Sequence, residues 1–371
     1  MKILIIAHKL TGGGAERATS LWAKGFIERG HNVNITLMCR PNTPITFTVP
    51  PSVNVTNMFG WFAALLLKYF SSDVLYVKKI RNVIIKTHPD VIIGVMQPWT
   101  EIGFKAAKGL NIPIVNTEHN SFERPQDRPL SPLDYEMKYE WNKHYTYVTV
   151  LSEADKMCAS GILNNLFVLP NPLAFSRVST IPQKDKTILA VGRLNGWYVK
   201  GFDLLIKAWG QIAHLYPEWV LKIAGGGSDK SMKYLSKIGK EASLGSQLEF
   251  LGFVDTLSYY QRSSIFVMPS RFEGFGMALI EAMSQECACI ACDYKGRQRE
   301  IISSDNEGII VEQESVESLN KSIRKLIEDE DYRYSLACNG LERSKAFDLA
   351  QIMRKWDAIL NGIERINHDE E

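Results

Sequence analysis

The chain has 371 residues, of which 45% are hydrophobic and 23% are charged. This length is more than one compact core usually holds, so two domains are expected, and the absence of repeats and low-complexity tracts excludes a solenoid or a largely disordered protein. The net charge is +2, but residues 1–172 carry 18 basic against 13 acidic side chains, which indicates an anionic partner such as a phosphate or a membrane surface, or ordinary variation in charge.

Short apolar runs alternate with segments of helical spacing through the first 172 residues. Each apolar run is typical of a strand that is buried on both faces of a parallel sheet. Such strands are predicted at 3–7, 33–38, 91–95, 114–116, 147–151 and 167–169, and helices at 15–29, 100–109 and 132–145. A glycine turn at 11–14 joins the first strand to the first helix, and this order predicts a βαβ unit.

A stiff turn at Pro170-Asn171-Pro172 is predicted to be a hinge. Beyond it, strands are predicted at 187–191, 220–224, 248–251, 265–268, 289–292 and 308–311, and helices at 202–214, 230–242, 276–284 and 316–328. Two such series predict an α/β protein of two doubly wound, Rossmann-like domains, 1–172 and 173–345, facing each other across a cleft. An amphipathic helix in 346–371 has no strand after it and is expected to pack back on the first domain.

Cysteine spacing and apolar runs bear on the compartment of the protein. Cys287, Cys289 and Cys292 stand in an apolar run without a second ligand cluster, which predicts buried free thiols rather than a zinc site. Free thiols are typical of a reducing compartment. No run reaches the roughly 18 apolar residues that a membrane span needs, and the run at 3–7 is too short for a signal peptide, so we expect a cytoplasmic protein.

The first glycine turn does not fit the dinucleotide-binding fingerprint. In the G-x-G-x-x-G spacing that starts at Gly12, Arg17 stands where the third glycine belongs, and Arg40 follows the next strand in place of an acid for a ribose. A nicotinamide enzyme is therefore disfavoured. The turn still exposes backbone at a helix N-terminus, where an anionic group is favoured, unless it is a plain connection.

The most specific motif is the segment 270–281, which follows one predicted strand and opens a helix. Glu273 lies in the loop and Glu281 lies inside the helix, eight positions further on. A loop carboxylate suits sugar hydroxyls, and a helix carboxylate suits the two hydroxyls of a ribose. Gly274 and Gly276 expose backbone N–H groups where the helix dipole favours negative charge. Taken alone, two glutamates near a helix start are usually only partners of that dipole.

This segment resembles the E-x7-E motif of retaining glycosyltransferases of the GT-B fold, family 4 type, and the resemblance extends over nearly the whole chain. Three further segments resemble parts of that family. The diphosphate-binding pair is matched by Val191-Gly192-Arg193-Leu194 with Lys200-Gly201, and the nucleobase segment by Leu251-Gly252-Phe253-Val254. The acceptor-side loop is matched by Thr117-Glu118-His119-Asn120.

The resemblance implies a role for each matching residue. Arg193 and Lys200 would neutralise the diphosphate as it leaves, and Glu273 would hold hydroxyls of the donor sugar. With these three, His119 would be catalytic through contact with the donor sugar or the acceptor, unless it is a satisfied interior histidine. Further donor contacts are implied for Gly13, Gly14, Gly226, Val254, Phe275, Gly276, Met277 and Glu281, and acceptor contacts for Glu118, His119 and Asn120.

The resemblance also implies that the anomeric configuration is retained. Attack would occur on the same face, with the leaving phosphate helping to take the acceptor proton. Negative charge develops on the departing diphosphate, so two basic side chains there would stabilise the transition state. Neither a metal nor a cofactor is expected, because Asp329-Glu330-Asp331 follows no core strand and is predicted to be a solvated face.

Two segments bear on specificity and location. Arg297 stands where the family has the second glycine of a loop near the donor sugar, and we expect it to contact a donor substituent or the diphosphate. The aromatic, apolar segment 58–70 precedes four basic residues in 78–86. This pattern predicts either an interfacial anchor on an anionic membrane or a helix that is buried in the first domain.

The predicted function is transfer of a hexose or N-acetylhexosamine from a nucleotide diphosphate sugar, with UDP expected, to a lipid-linked saccharide in bacterial cell-surface glycan synthesis. The alternatives are another GT-B enzyme, such as a nucleotide-sugar epimerase or a soluble glucan synthase, and a non-catalytic sugar-nucleotide-binding protein. The complete set of Arg193, Lys200, Glu273 and Glu281 disfavours the last alternative. No nucleic-acid partner is expected, and membrane association would be peripheral, on the inner face of the cell membrane.

Overall fold

The computed structural model describes residues 1–40, 42–58, 73–177 and 183–369. The chain divides into two units, one made of Met1–Ala174 together with Asp348–Glu371 and the other of Phe175–Phe347. The Pro170-Asn171-Pro172 turn lies in the first unit, just before this boundary. Most of the aromatic segment 58–70 lies outside the described residues.

Seven parallel strands form the sheet of the first unit among its described residues. They are β1 (Lys2–Ala7), β2 (Asn32–Leu37), β3 (Asn54–Asn57), β4 (Val91–Val95), β5 (Ile114–Thr117), β6 (Tyr147–Val150) and β7 (Leu166–Val168), in the order β3-β2-β1-β4-β5-β6-β7. Ile3 of β1 pairs with Val33 on one side and with Val91 on the other. Both faces of β1 are buried, which is why its sequence is continuously apolar.

Helices cover this sheet, and the last helix of the chain is one of them. The described helices of the unit are α1 (Gly14–Glu28), α2 (Asp73–Thr87), α3 (Trp99–Ala107), α4 (Pro132–Tyr135), α5 (Glu153–Ala159) and α13 (Leu349–Asp369). Trp356 of α13 meets Trp22 and Phe26 of α1 edge to face, at ring-centroid distances of 5.4 and 5.3 Å. Aromatic rings prefer this geometry, and it joins the C-terminal helix to the core of the first unit.

Six parallel strands form the sheet in the described part of the second unit. They are β8 (Asp185–Val191), β9 (Val220–Ala224), β10 (Leu248–Gly252), β11 (Ser263–Met268), β12 (Ala288–Cys292) and β13 (Ile309–Val311), in the order β10-β9-β8-β11-β12-β13. Its helices are α6 (Trp197–Lys200), α7 (Phe202–Gly210), α8 (Asp229–Glu241), α9 (Leu257–Arg262), α10 (Met277–Met283), α11 (Val316–Glu328) and α12 (Glu330–Ser344). The predicted class, two α/β domains with parallel sheets, is confirmed.

Two local predictions differ from the structure, and one strand was not predicted. The stretch 132–145 is not one helix, because α4 is followed by a π-helical turn at Glu136–Glu140 and a 3₁₀ turn at Trp141–His144. The helix predicted at 202–214 ends at Gly210. Strand β3 was not predicted, since its sequence Asn-Val-Thr-Asn has no apolar run.

Asp329 has a structural role that its charged neighbourhood concealed. Its side chain accepts a hydrogen bond of 2.9 Å from the backbone N–H of Tyr332 and so caps α12. Asp329, Glu330 and Asp331 are exposed. An acidic cap and acidic residues in the first turn favour a helix start through the helix dipole.

Candidate active site

The loop that carries Glu273 joins β11 to α10 at the carboxyl end of a central strand. Helix α10 begins after Gly276, whose φ of +111° is one that side-chain-bearing residues rarely adopt. A Cβ atom on Gly276 would also lie 3.1 Å from the Met268 side chain. Glycine is therefore required for the sharp turn that presents the backbone N–H groups of Phe275, Gly276 and Met277 at the helix N-terminus.

Lys200 and Glu273 meet in this loop, as an ion pair of 2.5 Å between Nζ and Oε1. The same carboxylate oxygen accepts a hydrogen bond of 2.8 Å from the hydroxyl of Ser270. Lys200 lies at the end of α6, so the pair joins the loop after β8 to the loop after β11. The lysine side chain is 27% exposed and can reach a second anion from solvent.

Arg271 holds these two loops together, and the sequence motifs did not single it out. Its guanidinium makes two hydrogen bonds to Asp203 of α7, at 2.7 and 2.9 Å, and one of 2.7 Å to the carbonyl oxygen of Tyr198. Burial alone would lower the pKa of Arg271, but the hydrogen bonds that it donates to the carboxylates of Asp203 and Glu314 outweigh burial and raise that pKa above its usual value. The cation is therefore permanent, and it ties the start of the loop that carries Glu273 to α7.

Gly201 shows how closely the two loops approach. It has a φ of +68°, and a Cβ atom there would lie 1.8 Å from the carbonyl oxygen of Pro269. Any side chain at this position would push the turn after Lys200 away from the loop that carries Glu273. The adjacent residues Lys200 and Gly201 thus combine a cation with the glycine that allows it to approach the loop carrying Glu273.

Other predicted donor residues lie in loops at the carboxyl ends of neighbouring strands. Arg193 follows β8 and is exposed, and Val254 follows β10 and is partly buried. Gly226 follows β9, and its carbonyl oxygen accepts a hydrogen bond of 2.9 Å from the N–H of Leu194. In open α/β sheets, ligands bind outside the carboxyl ends of the strands, where these residues lie.

Glu281 has a different environment from Glu273. It is buried in α10, and one of its carboxylate oxygens accepts a hydrogen bond of 3.1 Å from the hydroxyl of Tyr260. The structure thus pairs Glu273 with a partly exposed lysine and Glu281 with a buried tyrosine. Tyr260 had no assigned role in the sequence.

In the first unit, Gly13 and Gly14 form the turn between β1 and α1. Gly13 is the N-cap residue, and α1 begins at Gly14. A Cβ atom on Gly13 would lie 2.1 Å from the carboxylate of Glu16, which folds back over the turn. The helix N-terminus therefore already has a negative group beside it, and an incoming anion would have to displace that side chain.

His119 lies in the loop after β5 with its ring against Trp22, at a centroid distance of 5.4 Å. Its Nε2 atom lies 3.3 Å from the hydroxyl of Thr117. Burial of the ring lowers its pKa from 6.5 to about 4, although the carboxylate of Glu118 and the side chain of Asn171 oppose this shift. The imidazole is therefore neutral near pH 7 and can exchange hydrogen bonds without carrying charge.

Glu118 is engaged inside the first unit. It is buried, and its carboxylate forms an ion pair of 2.9 Å with Lys138, which is also buried. Its other oxygen accepts a hydrogen bond of 3.0 Å from the side chain of Asn116. The adjacent Asn120 is partly exposed. Lys138 had no assigned role in the sequence, because a lysine in a polar helical stretch is usually exposed.

Arg297 and the clustered cysteines are buried in the second unit. Arg297 is 1% exposed, and its guanidinium lies 5.2 Å from the ring centroid of Tyr294. Burial raises the pKa of Cys287 to about 11 and that of Cys292 to about 12, so both are protonated thiols. Cys289 between them is likewise buried, with a raised pKa. Across the described ranges, no three His, Cys, Asp or Glu side chains are grouped as metal ligands would be.

Comparison with known proteins places both units in one class. Residues 174–343 match the model of the glycosyl transferases group 1, and residues 12–173 match that of glycosyltransferase family 4. The chain therefore belongs to the group 1, family 4 glycosyltransferases of the GT-B fold.

Relatives of known sequence agree with this assignment along nearly the whole chain. An uncharacterized glycosyltransferase of Haemophilus influenzae is 27% identical, over 94% of this chain and 97% of its own length. A Campylobacter jejuni enzyme is 26% identical, over 96% and 97%. Its name is GalNAc-alpha-(1->4)-GalNAc-alpha-(1->3)-diNAcBac-PP-undecaprenol alpha-1,4-N-acetyl-D-galactosaminyltransferase.

Solved structures share the fold. Sucrose-phosphate synthase from Thermosynechococcus elongatus has a TM-score of 0.82 at 18% identity, and the similarity covers 99% of this chain and all of that one. The Anabaena protein HepE, in complex with UDP and glucose, has a TM-score of 0.76 at 19% identity, with 98% and 100% covered.

The lowered pKa of His119 predicts a specific dependence of stability on pH. Unfolding exposes the imidazole, which then binds a proton below pH 6.5, whereas the folded protein binds it only near pH 4. Stability should therefore fall as the pH falls between these values, by about 3 kcal/mol from this residue. We therefore expect the free energy of unfolding of His119→Asn, measured with urea between pH 4 and 7, to fall less with falling pH than that of the unmodified protein.

His88→Asn is the matched control, because His88 is exposed and has a φ of +45°, which asparagine tolerates. Its curve should follow that of the unmodified protein. If the curves of His119→Asn and the unmodified protein run parallel, His119 titrates as an exposed histidine and its ring is not desolvated.

Proposed function

We propose that this glycosyltransferase transfers a hexose or N-acetylhexosamine from a UDP sugar to a lipid-linked saccharide acceptor, with retention of configuration and without a metal ion. The observation that carries the proposal is the Lys200–Glu273 ion pair at the carboxyl end of the second sheet. One member is the cation that a diphosphate needs, and the other is the carboxylate that sugar hydroxyls need. They lie side by side, as the two halves of a nucleotide sugar would.

The proposed chemistry begins when the diphosphate replaces Glu273 as the partner of Lys200. Lys200 and the exposed Arg193 then neutralise the charge that develops on the leaving diphosphate. Glu273, released from the lysine but still bonded to Ser270, accepts hydrogen bonds from sugar hydroxyls. The N–H groups at the start of α10 are proposed to contact the same donor. The acceptor hydroxyl attacks on the face that the diphosphate leaves, and a phosphate oxygen takes its proton.

The remaining residues take supporting roles in this proposal. Glu281 binds the ribose, and Gly226 and Val254 contact the base. For the residues of the first unit, the proposed contacts of Gly13 and Gly14 are with the donor phosphates, and those of His119 and Asn120 are with the sugars. The neutral state of His119 suits hydrogen bonding to hydroxyl groups, because a cation there would compete for the diphosphate.

The choice of donor and acceptor draws on the relatives. HepE is described with UDP and glucose, and the Campylobacter jejuni enzyme is named for an acceptor linked through a diphosphate to undecaprenol. A lipid-linked acceptor calls for a protein that works at a membrane surface. A peripheral position on the inner face of the cell membrane follows from the proposal.

The donor site can be tested by ligand stabilisation followed by assay. A nucleotide at about 100 times its dissociation constant adds roughly 2.7 kcal/mol to stability, so UDP and its sugars should raise the melting temperature, with or without EDTA. Transfer by Lys200→Ala should be slower by about 100- to 1,000-fold, because one stabilising charge is lost in the transition state. Lys207→Ala is the control, since Lys207 is an exposed lysine on the next helix.

Three results would contradict these expectations. If neither UDP, GDP or ADP nor any of their sugars raises the melting temperature, the proposed donor site is wrong. Binding without transfer to any saccharide or lipid-linked acceptor would indicate a non-catalytic sugar-nucleotide-binding protein. A shift that EDTA abolishes would show that a metal ion takes part.

Arg297 is proposed to act on the donor side. The residue is buried against Tyr294, and its guanidinium donates a hydrogen bond of 3.4 Å to the carbonyl oxygen of Lys295 in the loop that the sequence resemblance places near the donor sugar. We expect Arg297→Gly to raise the Michaelis constant for the donor, or to change the preference between UDP-glucose and UDP-N-acetylglucosamine. Arg299→Gly is the control, because Arg299 is exposed on the same turn. If Arg297→Gly changes neither the Michaelis constant for the donor nor the preference between the two UDP sugars, Arg297 does not act at the donor site.

Membrane contact is proposed for the segment 58–86. Among the described residues no helix has both the length and the apolar character to cross a bilayer. Helix α2 instead exposes Val74 and Ile85, at 75% and 51%, together with Lys78 and Lys86. Apolar and basic side chains on one exposed helix suit the surface of an anionic membrane.

Vesicle sedimentation tests this contact. We expect the protein to sediment with phosphatidylglycerol vesicles at low salt, and Lys78→Glu/Lys86→Glu to weaken this, because each basic residue near the surface contributes about 1 kcal/mol. Lys233→Glu/Lys240→Glu, on α8, changes the net charge equally and serves as the control. If both double variants sediment alike, or the unmodified protein stays in solution, the contact does not exist.

A further inference from the structure

The loop 118–123 follows β5, and several of its residues contact the buried ammonium group of Lys138. The Nζ atom of Lys138 lies 2.9 Å from the carboxylate of Glu118 and 3.0 Å from the carbonyl oxygen of Asn120. It also lies 4.4 Å from the ring centroid of Phe122. Lys138 thus contacts three alternate residues of this loop, and its charge is satisfied by an anion, a carbonyl dipole and an aromatic face.

A second buried charge holds the other end of the loop. Asp155 accepts hydrogen bonds from the hydroxyl of Ser121 and from the backbone N–H of Phe122, at 2.9 and 2.8 Å. Its other oxygen accepts a hydrogen bond of 2.8 Å from Ser152. The residues between the two charges, His119 and Asn120, are therefore attached to fixed points on both sides.

The network below Glu118 leaves little freedom to its carboxylate. Asn116 donates to it at 3.0 Å and also donates to the side chain of Asn142 at 2.7 Å. Thr100 donates in turn to Asn116 at 2.5 Å. Asn142 donates to the carbonyl oxygen of Lys138, at 2.8 Å, so the network returns to the lysine. A buried polar network that is fully satisfied defines one geometry.

The local helix geometry explains why Lys138 points inward. The turn Glu136–Glu140 is π-helical, and it is followed at once by a 3₁₀ turn. Lys138 and Tyr139 are buried there, whereas Glu140 and Lys143 are exposed and pair with each other. Widened turns of this kind are less favourable than a regular α-helix and occur frequently at functional sites.

We propose that Lys138, Glu118 and Asp155 form a clamp that positions His119 and Asn120 for sugar transfer, and that Lys138 is the positioning residue on which the clamp depends. The proposal rests on the proposed function of the loop. In it, Glu118 acts through the loop and does not touch the acceptor, because both of its carboxylate oxygens are engaged internally. Catalysis needs such preorganisation, since a displacement of about 1 Å at a catalytic group can cost about 100-fold in rate.

The ion pair of Lys138 and Glu118 could instead only stabilise the fold. Substituting both residues together separates this role from the positioning of His119 and Asn120. Removing one partner of a buried ion pair leaves an uncompensated charge and destabilises the fold, whereas replacing both partners together is often nearly neutral. Lys138→Met and Glu118→Gln should therefore each lower the melting temperature, and the combined variant should recover most of that loss. Lys143→Met is the matched control, since Lys143 makes an exposed ion pair on the adjoining turn.

The kinetic readout is transfer activity with donor and acceptor varied separately. We expect the combined variant to show a kcat that is lower by about 10- to 100-fold, with the Michaelis constant for the donor within about twofold, because the loop is loosened while the diphosphate site is intact. Lys143→Met should keep full activity. If the combined variant regains activity along with its melting temperature, the pair only stabilises the fold and the proposal fails.

Hydrogen–deuterium exchange tests the clamp without relying on activity. Amides in 118–123 should exchange faster in the combined variant than in the unmodified protein, while peptides from the second unit should be unchanged. Unaltered exchange in 118–123 would overturn the clamp. If the unmodified protein transfers no sugar at all, the proposed function fails, and the exchange result still decides whether Lys138 holds the loop.

Discussion

The ion pair between Arg271 and Asp203 is the interaction on which the geometry of the proposed donor site depends. Lys200 and Glu273 are 73 positions apart and lie on loops after two different strands. The two bonds from Arg271 to Asp203, its bond to the carbonyl oxygen of Tyr198 and the backbone bond from the Arg271 N–H to Val199 join these loops. Breaking one side of such a buried pair typically costs about 3–5 kcal/mol, so the two loops are held together as one structure.

The first unit also has a buried ion pair beneath a loop at the end of its own sheet. The pair of Lys138 and Glu118 lies beneath the loop after β5, as the pair of Arg271 and Asp203 lies beneath the loop after β11. In both cases the buried ions carry hydrogen bonds to neighbouring backbone or side chains, which offsets the loss of water. The charges proposed to meet substrate, on Lys200 and Arg193, remain more exposed. The buried charges thus set the geometry, and the exposed ones remain available for binding.

The fold could be predicted well because its signals are local. Strands that are buried on both faces are continuously apolar, and this pattern located β1, β4 and β12 closely. The prediction failed where the local pattern was ambiguous. Strand β3 is polar because it lies at the sheet edge, and the stretch 132–145 has helical composition but changes its winding to bury Lys138. Tertiary contacts override local preference at such places.

The sequence by itself determined the alternation of elements, the glycines at turns with positive φ, and the residue types of the candidate site. Gly201 and Gly276 are there because no other residue fits their backbone conformation and close contacts. Only the tertiary structure decided which charges are paired and which are available. The sequence motif that marks Lys200 says nothing of Lys138, yet Lys138 is buried in an internal ion pair and Lys200 is partly exposed beside Glu273. Charge pairing depends on distances between residues far apart in the chain, and folding, not local composition, sets those distances.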